Sequence, residues 1–459
     1  MPHPIDPEGK RLPIKLDSTS NGEFIPVPLS PVNRAANRLA HECASRFSKN
    51  LKSNRRRFLV SACGAASTLL AFNAANAAAG RTGGFFDLPQ EAALDQQLAR
   101  MQVGPAKDEF IFDVQGHFID TPKGNDKGPE VFIKDVFMDS DTDVMVLSFV
   151  PSARNAEPVT IQAADHVRRL VDKLEGTHRL LLHGRVNPNQ PGDLEGMDEL
   201  KEKWGVSAWK TYTQYGPGGQ GYFLTDDAGI RFIEKARALG VKNICIHKGL
   251  PFGRRSYEHS QCSDIGPVAK RFPDVNFLIY HSGFVTAVPE QPYDESGTRD
   301  GIDTLVTSLI KNGIKPGSNV YAELGSTWRF LMREPEQAAH ALGKLIRYCG
   351  ESNVLWGTDS IWYGSPQDQI QAFRTFQISP RLRERFGYAD MTPALRARIF
   401  GLNAAKVYGL SPAEVKRYAA RDAIARERTA YVEAPEPHFT TYGPRTRRQF
   451  LGMSRLLTA

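Results

Sequence analysis

From Phe110 to Asp359 the sequence repeats one pattern eight times: a short run of apolar or β-branched residues, most of them followed by a stretch whose apolar positions fall three or four apart. The short runs are FIFDV (110–114), DVMVLSF (143–149), RLLLHGRV (179–186), VSAWKTY (206–212), KNICIH (242–247), VNFLIYH (275–281), NVYAE (319–323) and NVLWGTD (353–359). Between them, stretches such as DHVRRLVDKLEG and DDAGIRFIEKARALG carry the helical period. Eight strands alternating with helices is the count of a closed barrel, so an α/β fold of the (β/α)8 TIM-barrel type is expected over residues 106–410. The competing fold is an open dinucleotide-binding sheet. No G-x-G-x-x-G opens a helix after any of these strands, and GPGGQG at 216–221 follows a strand without starting one. It is read instead as a loop over the active site.

A barrel brings the C-terminal ends of its strands to one rim. The polar residues expected there are Gln115 and His117 on the first strand, His183 and Arg185 on the third, Lys210 on the fourth, His247 on the fifth, His281 on the sixth and Asp359 on the eighth. A lone histidine at a strand end is usually structural. Several converging from different strand ends, with a carboxylate, are the donor set that a borderline divalent cation requires.

Charge excludes one class of function. The formal net charge is +7, but residues 1–79 hold 11 Lys or Arg against 5 Asp or Glu, and residues 411–459 hold 9 against 5. The body between is therefore near −3, which makes nucleic acid a poor partner. Five cysteines without close pairs give neither a disulfide framework nor a thiolate zinc site.

The flanks have their own character. Residues 1–50, rich in Pro, Asn and Ser, are expected to be a disordered extension. Residues 51–79 place Arg55, Arg56 and Arg57 before an apolar run from Phe58 to Phe72 and then small residues. This is the build of a twin-arginine-like export signal, which implies the export machinery as a partner and a periplasmic or exported destination. The apolar run is shorter than the roughly 20 residues of a membrane span. Residues 80–105 read as a linker, and 411–459 as a basic C-terminal extension.

The order HF after the first strand, ICIHKG, IYHSG, LWGTDS and the closing MTPALRARIFGLNAAKVYGL (391–410) resembles the amidohydrolase superfamily, in its amidohydrolase-2 branch. That branch includes lactonases and decarboxylases related to the aminocarboxymuconate semialdehyde and resorcylate enzymes. The resemblance spans about 300 residues, with the barrel of the metallo-dependent hydrolase type. It implies that His247 and Asp359 bind metal, that Asp359 also handles protons, and that His281 contacts the water or substrate. Gln115 departs from the family, which usually has His there and in some decarboxylases Glu. The ligand set then reads Gln115, His117, His247 and Asp359 around one divalent ion, zinc first and manganese next. With a single first-strand histidine a second ion is not expected, so Lys210 is read as an unmodified ammonium, either structural or binding a substrate carboxylate.

Hydrolysis of a lactone, ester or amide by metal-activated water, with Asp359 as base and His281 as polariser, is the leading expectation. Non-oxidative decarboxylation of an aromatic or muconate-type acid uses the same residues. A third reading is a binding barrel whose catalysis has decayed at Gln115. The loop KGLPFGRRSYEHSQCSD adds Arg254, Arg255 and Tyr257, and guanidinium forks suit carboxylates. The expected substrate is small, acidic and aromatic-derived; a homodimer is implied by the resemblance alone.

Overall fold

A computed structural model of the chain describes residues 6–458 except 107–108, 119–127, 155, 176–177, 252–256, 421–430 and 432–434. A short strand, β1 (Gly84–Phe86), precedes eight parallel strands: β2 (Phe112–Gly116), β3 (Val144–Leu147), β4 (Leu180–Arg185), β5 (Ala208–Tyr212), β6 (Asn243–His247), β7 (Asn276–Tyr280), β8 (Val320–Glu323) and β9 (Val354–Leu355). The eight hydrogen-bond in chain order. Closure comes just beyond β9, where Val114 N donates to the Trp356 carbonyl at 3.0 Å, Asp359 N to that of Gln115 at 2.9 Å, and Ile361 N to that of His117 at 3.2 Å. The chain is therefore a (β/α)8 barrel, and each of its strands overlaps one of the expected apolar runs. Val114, Val146, Ala208, Cys245, Leu278 and Leu355, one from each of six strands, meet in one buried cluster. No phosphate-cradling turn opens a helix at GPGGQG; Asn189 ties that loop through the Tyr215 and Gln220 carbonyls.

The flanks are where the expectation is corrected. Residues 1–50 were expected to be disordered, yet Pro31–Asn50 forms a 20-residue helix, α1, capped by the Ser30 side chain on Asn33 N. Ahead of it, Leu12, Ile14 and Leu16 are fully buried, and the Lys15 ammonium pairs with Asp368 at 3.5 Å. Asp17 lies against Arg329, and its carbonyl accepts from Arg333 at 3.1 Å. The order that local propensity could not supply comes from the barrel surface: apolar burial and paired charges together offset the chain entropy.

The signal-like segment is likewise part of the core. Arg55–Leu59 is a short helix, α2, capped by Asn54, and Ala62–Ala78 is a helix, α3, capped by Ser61. Ala36, Ala40 and Ala44 line one face of α1 at helical spacing and are fully buried. These small side chains allow close approach to α3, whose Ala65, Ala66, Leu69 and Phe72 belong to the same core as the barrel helices. An apolar, alanine-rich stretch behind a basic cluster has the composition of an export signal and of a buried helix alike; the packing seen here gives the signal reading no support. Among the described residues no helix is long and apolar enough to cross a membrane. The expected linker is also structured, since β1 pairs antiparallel with Phe376–Ile378, β10.

The C-terminal extension returns to the mouth of the barrel. Tyr442 and Gly443 N–H groups donate to the Trp362 carbonyl at 2.8 and 2.9 Å, and Ser20 N donates to the Pro444 carbonyl at 2.8 Å. Thr441 and Thr19 share a hydrogen bond at 3.0 Å. The two ends of the chain thus lie together over the rim.

Candidate functional site

The rim residues come from loops that leave the strands in unusual backbone conformations. His281, Ser282, Ser326 and Asp359 all have φ between 53° and 65°. Left-handed backbone at non-glycine residues costs of order 1–3 kcal/mol each and persists where the surroundings enforce it, which is typical of functional sites. Asp113, buried beneath the rim, accepts from Gln115 N at 3.0 Å and Thr358 N at 3.1 Å, joining the first strand to the loop that carries Asp359.

Asp359 is the anionic centre. Its Oδ1 accepts from His117 Nε2 at 2.9 Å and from Gln115 Nε2 at 3.2 Å. Its Oδ2 accepts from Asn21 Nδ2 at 2.7 Å and from the Ser326 hydroxyl. Burial is the largest influence and opposes the charge, but the contacts with His117, His281 and Ser326 together overcome it and hold the carboxyl far below the usual range.

A second group lies beside it. His281 Nδ1 is 2.7 Å from the Gly325 carbonyl, which can only accept, so Nδ1 carries the hydrogen and Nε2 the lone pair. His247 Nε2 faces the Leu250 carbonyl at 3.4 Å, which leaves the lone pair on Nδ1. Both lone pairs point at one carboxylate, that of Glu23: Oε1 is 3.4 Å from His247 Nδ1 and Oε2 is 3.6 Å from His281 Nε2. Burial drives both imidazoles down, His281 to about 4 and His247 well below 6.5, so they are neutral. Burial and Asp359 raise the Glu23 carboxyl. The ligand atoms of Glu23, His247 and His281 all lie within 4.8 Å of one another.

The expected ligand set is therefore distributed differently. His117 and Asp359 meet, and His247 meets His281, but among the described residues no group of three close donors joins His247 to His117 or Asp359. Gln115 turns its amide nitrogen to Asp359, as a carboxylate neighbour demands, and its buried oxygen finds no hydrogen-bond partner among the described residues. That oxygen would lie 2.5 Å from a Cβ placed on Gly325, so a side chain there would displace it. Asn21 bridges the two groups, donating from one amide nitrogen to both Glu23 and Asp359.

The remaining expected residues fall as follows. Lys210 is fully buried, its ammonium 3.8 Å from the centre of the Tyr280 ring and 4.9 Å from that of Tyr212, with no hydrogen-bond partner among the described residues. Burial lowers it to about 8. Tyr257 donates to Asp300 at 2.5 Å. Arg254 and Arg255 lie outside the described residues. Arg185 is engaged by Glu157 and Asp193, and buried His183 sits 3.3 Å from the Tyr280 hydroxyl.

Residues 112–410 match the profile of a family described as Amidohydrolase. The chain belongs to that family. Solved structures similar to this amidohydrolase include 2,6-dihydroxybenzoate decarboxylase from Rhizobium (14% identity, TM-score 0.39, covering 66% of this chain and 99% of that one). Another is 5-carboxyvanillate decarboxylase from Sphingomonas paucimobilis (14%, 0.39, 66% and 99%). A third is 4-oxalomesaconate hydratase from Rhodopseudomonas palustris (16%, 0.37, 71% and 100%). No curated protein matches the chain.

The donors suit the divalent metal typical of such amidohydrolases: two neutral imidazoles with lone pairs aimed inward, and carboxylates beside them. Among the described residues a second cluster, Asp135, Asp139 and His438, could also gather a cation. There Asp135 is paired with His438 at 2.9 Å and bonded by Tyr442 at 3.0 Å, while Asp139 holds Lys134 and Tyr431, so the cluster ties down the C-terminal extension.

Sequence reasoning did not find Asn21, Glu23 or Ser326. Alternating Leu12, Ile14 and Leu16 followed by Asn21-Gly22 is an extended run and a turn, the one local signal that residues 12–24 form an ordered strap.

Proposed function

We propose that this amidohydrolase is a metal-dependent hydrolase that cleaves a C–O or C–N bond in a small carbonyl substrate: a lactone, ester or amide. The ion is held at His247 and His281, and zinc suits these donors first and manganese next. When bound, a divalent metal supplies Lewis acidity and lowers the pKa of water. The Asp359–His117 pair takes up the proton. The single observation that carries this reading is that two buried imidazoles, His247 and His281, face one carboxylate, Glu23, which Asn21 joins to the Asp359–His117 pair.

These contacts change the part assigned to His281. With its hydrogen committed to the Gly325 carbonyl, it presents a lone pair and serves as a ligand; it has no N–H to offer an oxyanion. Among the described residues Lys210, beneath the same rim, has no hydrogen-bond partner, and it is a cation available to an anionic substrate group. Decarboxylation would use the same residues but needs a proton delivered to carbon. The two readings part at that step, and their products separate them.

The test is a paired screen on the metal-loaded enzyme: proton release from lactones, esters and amides against carbon dioxide release from hydroxybenzoates, each with and without chelation. Chelator-sensitive proton release supports the proposal. Carbon dioxide release without hydrolysis would replace it with the lyase reading, and no turnover together with no bound metal would leave a binding barrel.

A further inference from the structure

We propose that Glu23, a residue outside the barrel, is the carboxylate ligand of the metal centre, brought there by the N-terminal strap to complete a site that the barrel strands leave short of charge. This rests on the metal-dependent reading above and adds to it the source of the third ligand.

The first support is the hydrogen-bond arithmetic. The Gly325 and Leu250 carbonyls fix the tautomers of His281 and His247, so that two lone pairs and a carboxylate face one another at 3.4 and 3.6 Å. Three acceptors gathered in a buried site are costly unless a cation or a proton lies among them. One ligand atom from each of the three residues lies within 4.8 Å of the others, and ligands at about 2.0–2.2 Å from a tetrahedral ion are separated by about 3.3–3.6 Å, so a small inward movement would close a coordination sphere.

The second support is that the strap is built to aim this side chain. Gly22, at φ +87°, makes the turn, Glu23 N donates to Asn21 Oδ1 at 3.0 Å, and Gly22 N donates to Ser20 Oγ at 3.0 Å. Phe24 is buried with its ring edge-on to Phe330, at 6.3 Å between centroids, which fixes the far side of the turn. A carboxylate whose only task was to tether the strap would face the strap's cationic anchors, Arg329 and Arg333, as Asp17 does.

The third is the chemistry of the first strand. Gln115 gives its amide nitrogen to Asp359, and the four donors around Asp359 leave it engaged as an anion. Neither supplies the His247–His281 pair with a negative ligand. Glu23 does.

The experiment uses the full chain, stripped with chelator and titrated with Co2+ and Zn2+. Wild type is compared with Glu23→Gln, Glu23→Asp and His247→Ala, and thermal melting of each stripped protein reports folding. The proposal expects one equivalent in wild type, at least tenfold weaker binding and a shifted visible Co2+ spectrum in Glu23→Gln, smaller changes in Glu23→Asp, and no retention in His247→Ala. If His247→Ala loses the ion while Glu23→Gln keeps wild-type affinity and spectrum, the Glu23 proposal falls and the metal reading stands. If wild type takes up no ion, both fall. Should the variants fail to fold, a crystal structure of zinc-loaded wild type decides: a Glu23 oxygen in the coordination sphere supports the assignment, and a Glu23 turned away overturns it.

Discussion

Asn21 reaches across 338 positions of sequence to donate a 2.7 Å hydrogen bond to Asp359 Oδ2. The same amide nitrogen also serves Glu23, so one strap residue holds two carboxylates side by side. Replacing the amide by a carboxylate would set three acids together in a buried site. Asn21→Asp is expected to lower stability by about 3 kcal/mol, the cost of an uncompensated buried charge, whereas Asn21→Ala is expected to cost about 1–2 kcal/mol. Denaturant unfolding of both variants checks this ordering.

Gln115 donates its amide nitrogen to Asp359 at 3.2 Å. Gln115→Ala is expected to keep its metal within about twofold of wild type while turnover falls by about tenfold or more, because a lost hydrogen bond to a charged group is worth about 1.5–3 kcal/mol. Elemental analysis beside kcat separates the two effects. Loss of the ion in this variant would restore position 115 to the ligand set.

Gly22 has φ +87°, and a Cβ there would lie 1.8 Å from the Met453 methyl group. Gly22→Ala is expected to destabilise by about 1–2 kcal/mol through the left-handed backbone alone, and to weaken metal retention because the turn it distorts carries Glu23. Thermal melting and metal titration of the variant check both effects.

The helix–core packing of α1 and α3 makes residues 6–79 part of the folded body. Intact mass measurement of the active protein is expected to find them present, in whatever compartment it works. An active product beginning near residue 80 would lack Glu23 and would contradict the account of the site.

His340, buried between Phe386 and Tyr388, is pushed down to about 4 by burial and then by Lys344 and nearby arginines. Its unfolded value is 6.5. Above that value it is neutral in both states, and its site is fully compatible with the fold. As the pH falls from 6.5 towards 4, the unfolded chain takes up a proton that the folded chain refuses, and stability is lost. Wild type is expected to lose on the order of 2 kcal/mol more than His340→Gln between pH 7 and pH 4, measured by urea unfolding. Equal losses would show that this histidine does not titrate as described.

The barrel was legible because each strand is a short, locally complete signal, and all eight runs could be read without knowing what they touch. His117, His247, His281 and Asp359 were legible because strand ends in this fold share one rim. What could not be read is what depends on distant partners. Glu23 carries no local mark of a ligand, since its role is set by two histidines more than 200 residues away. The Ala-rich face of α3 looks the same whether it meets a membrane translocon or Ala36, Ala40 and Ala44 of α1. The direction of the Gln115 amide is likewise fixed by Asp359, and not by its own strand.

The most direct test of the account is elemental analysis of the purified full-length protein beside the double variant His247→Ala/His281→Ala. The account predicts about one equivalent of a divalent metal in wild type and next to none in the folded double variant. A metal-free wild type, or a double variant that keeps its ion on the His117–Asp359 pair, would contradict it.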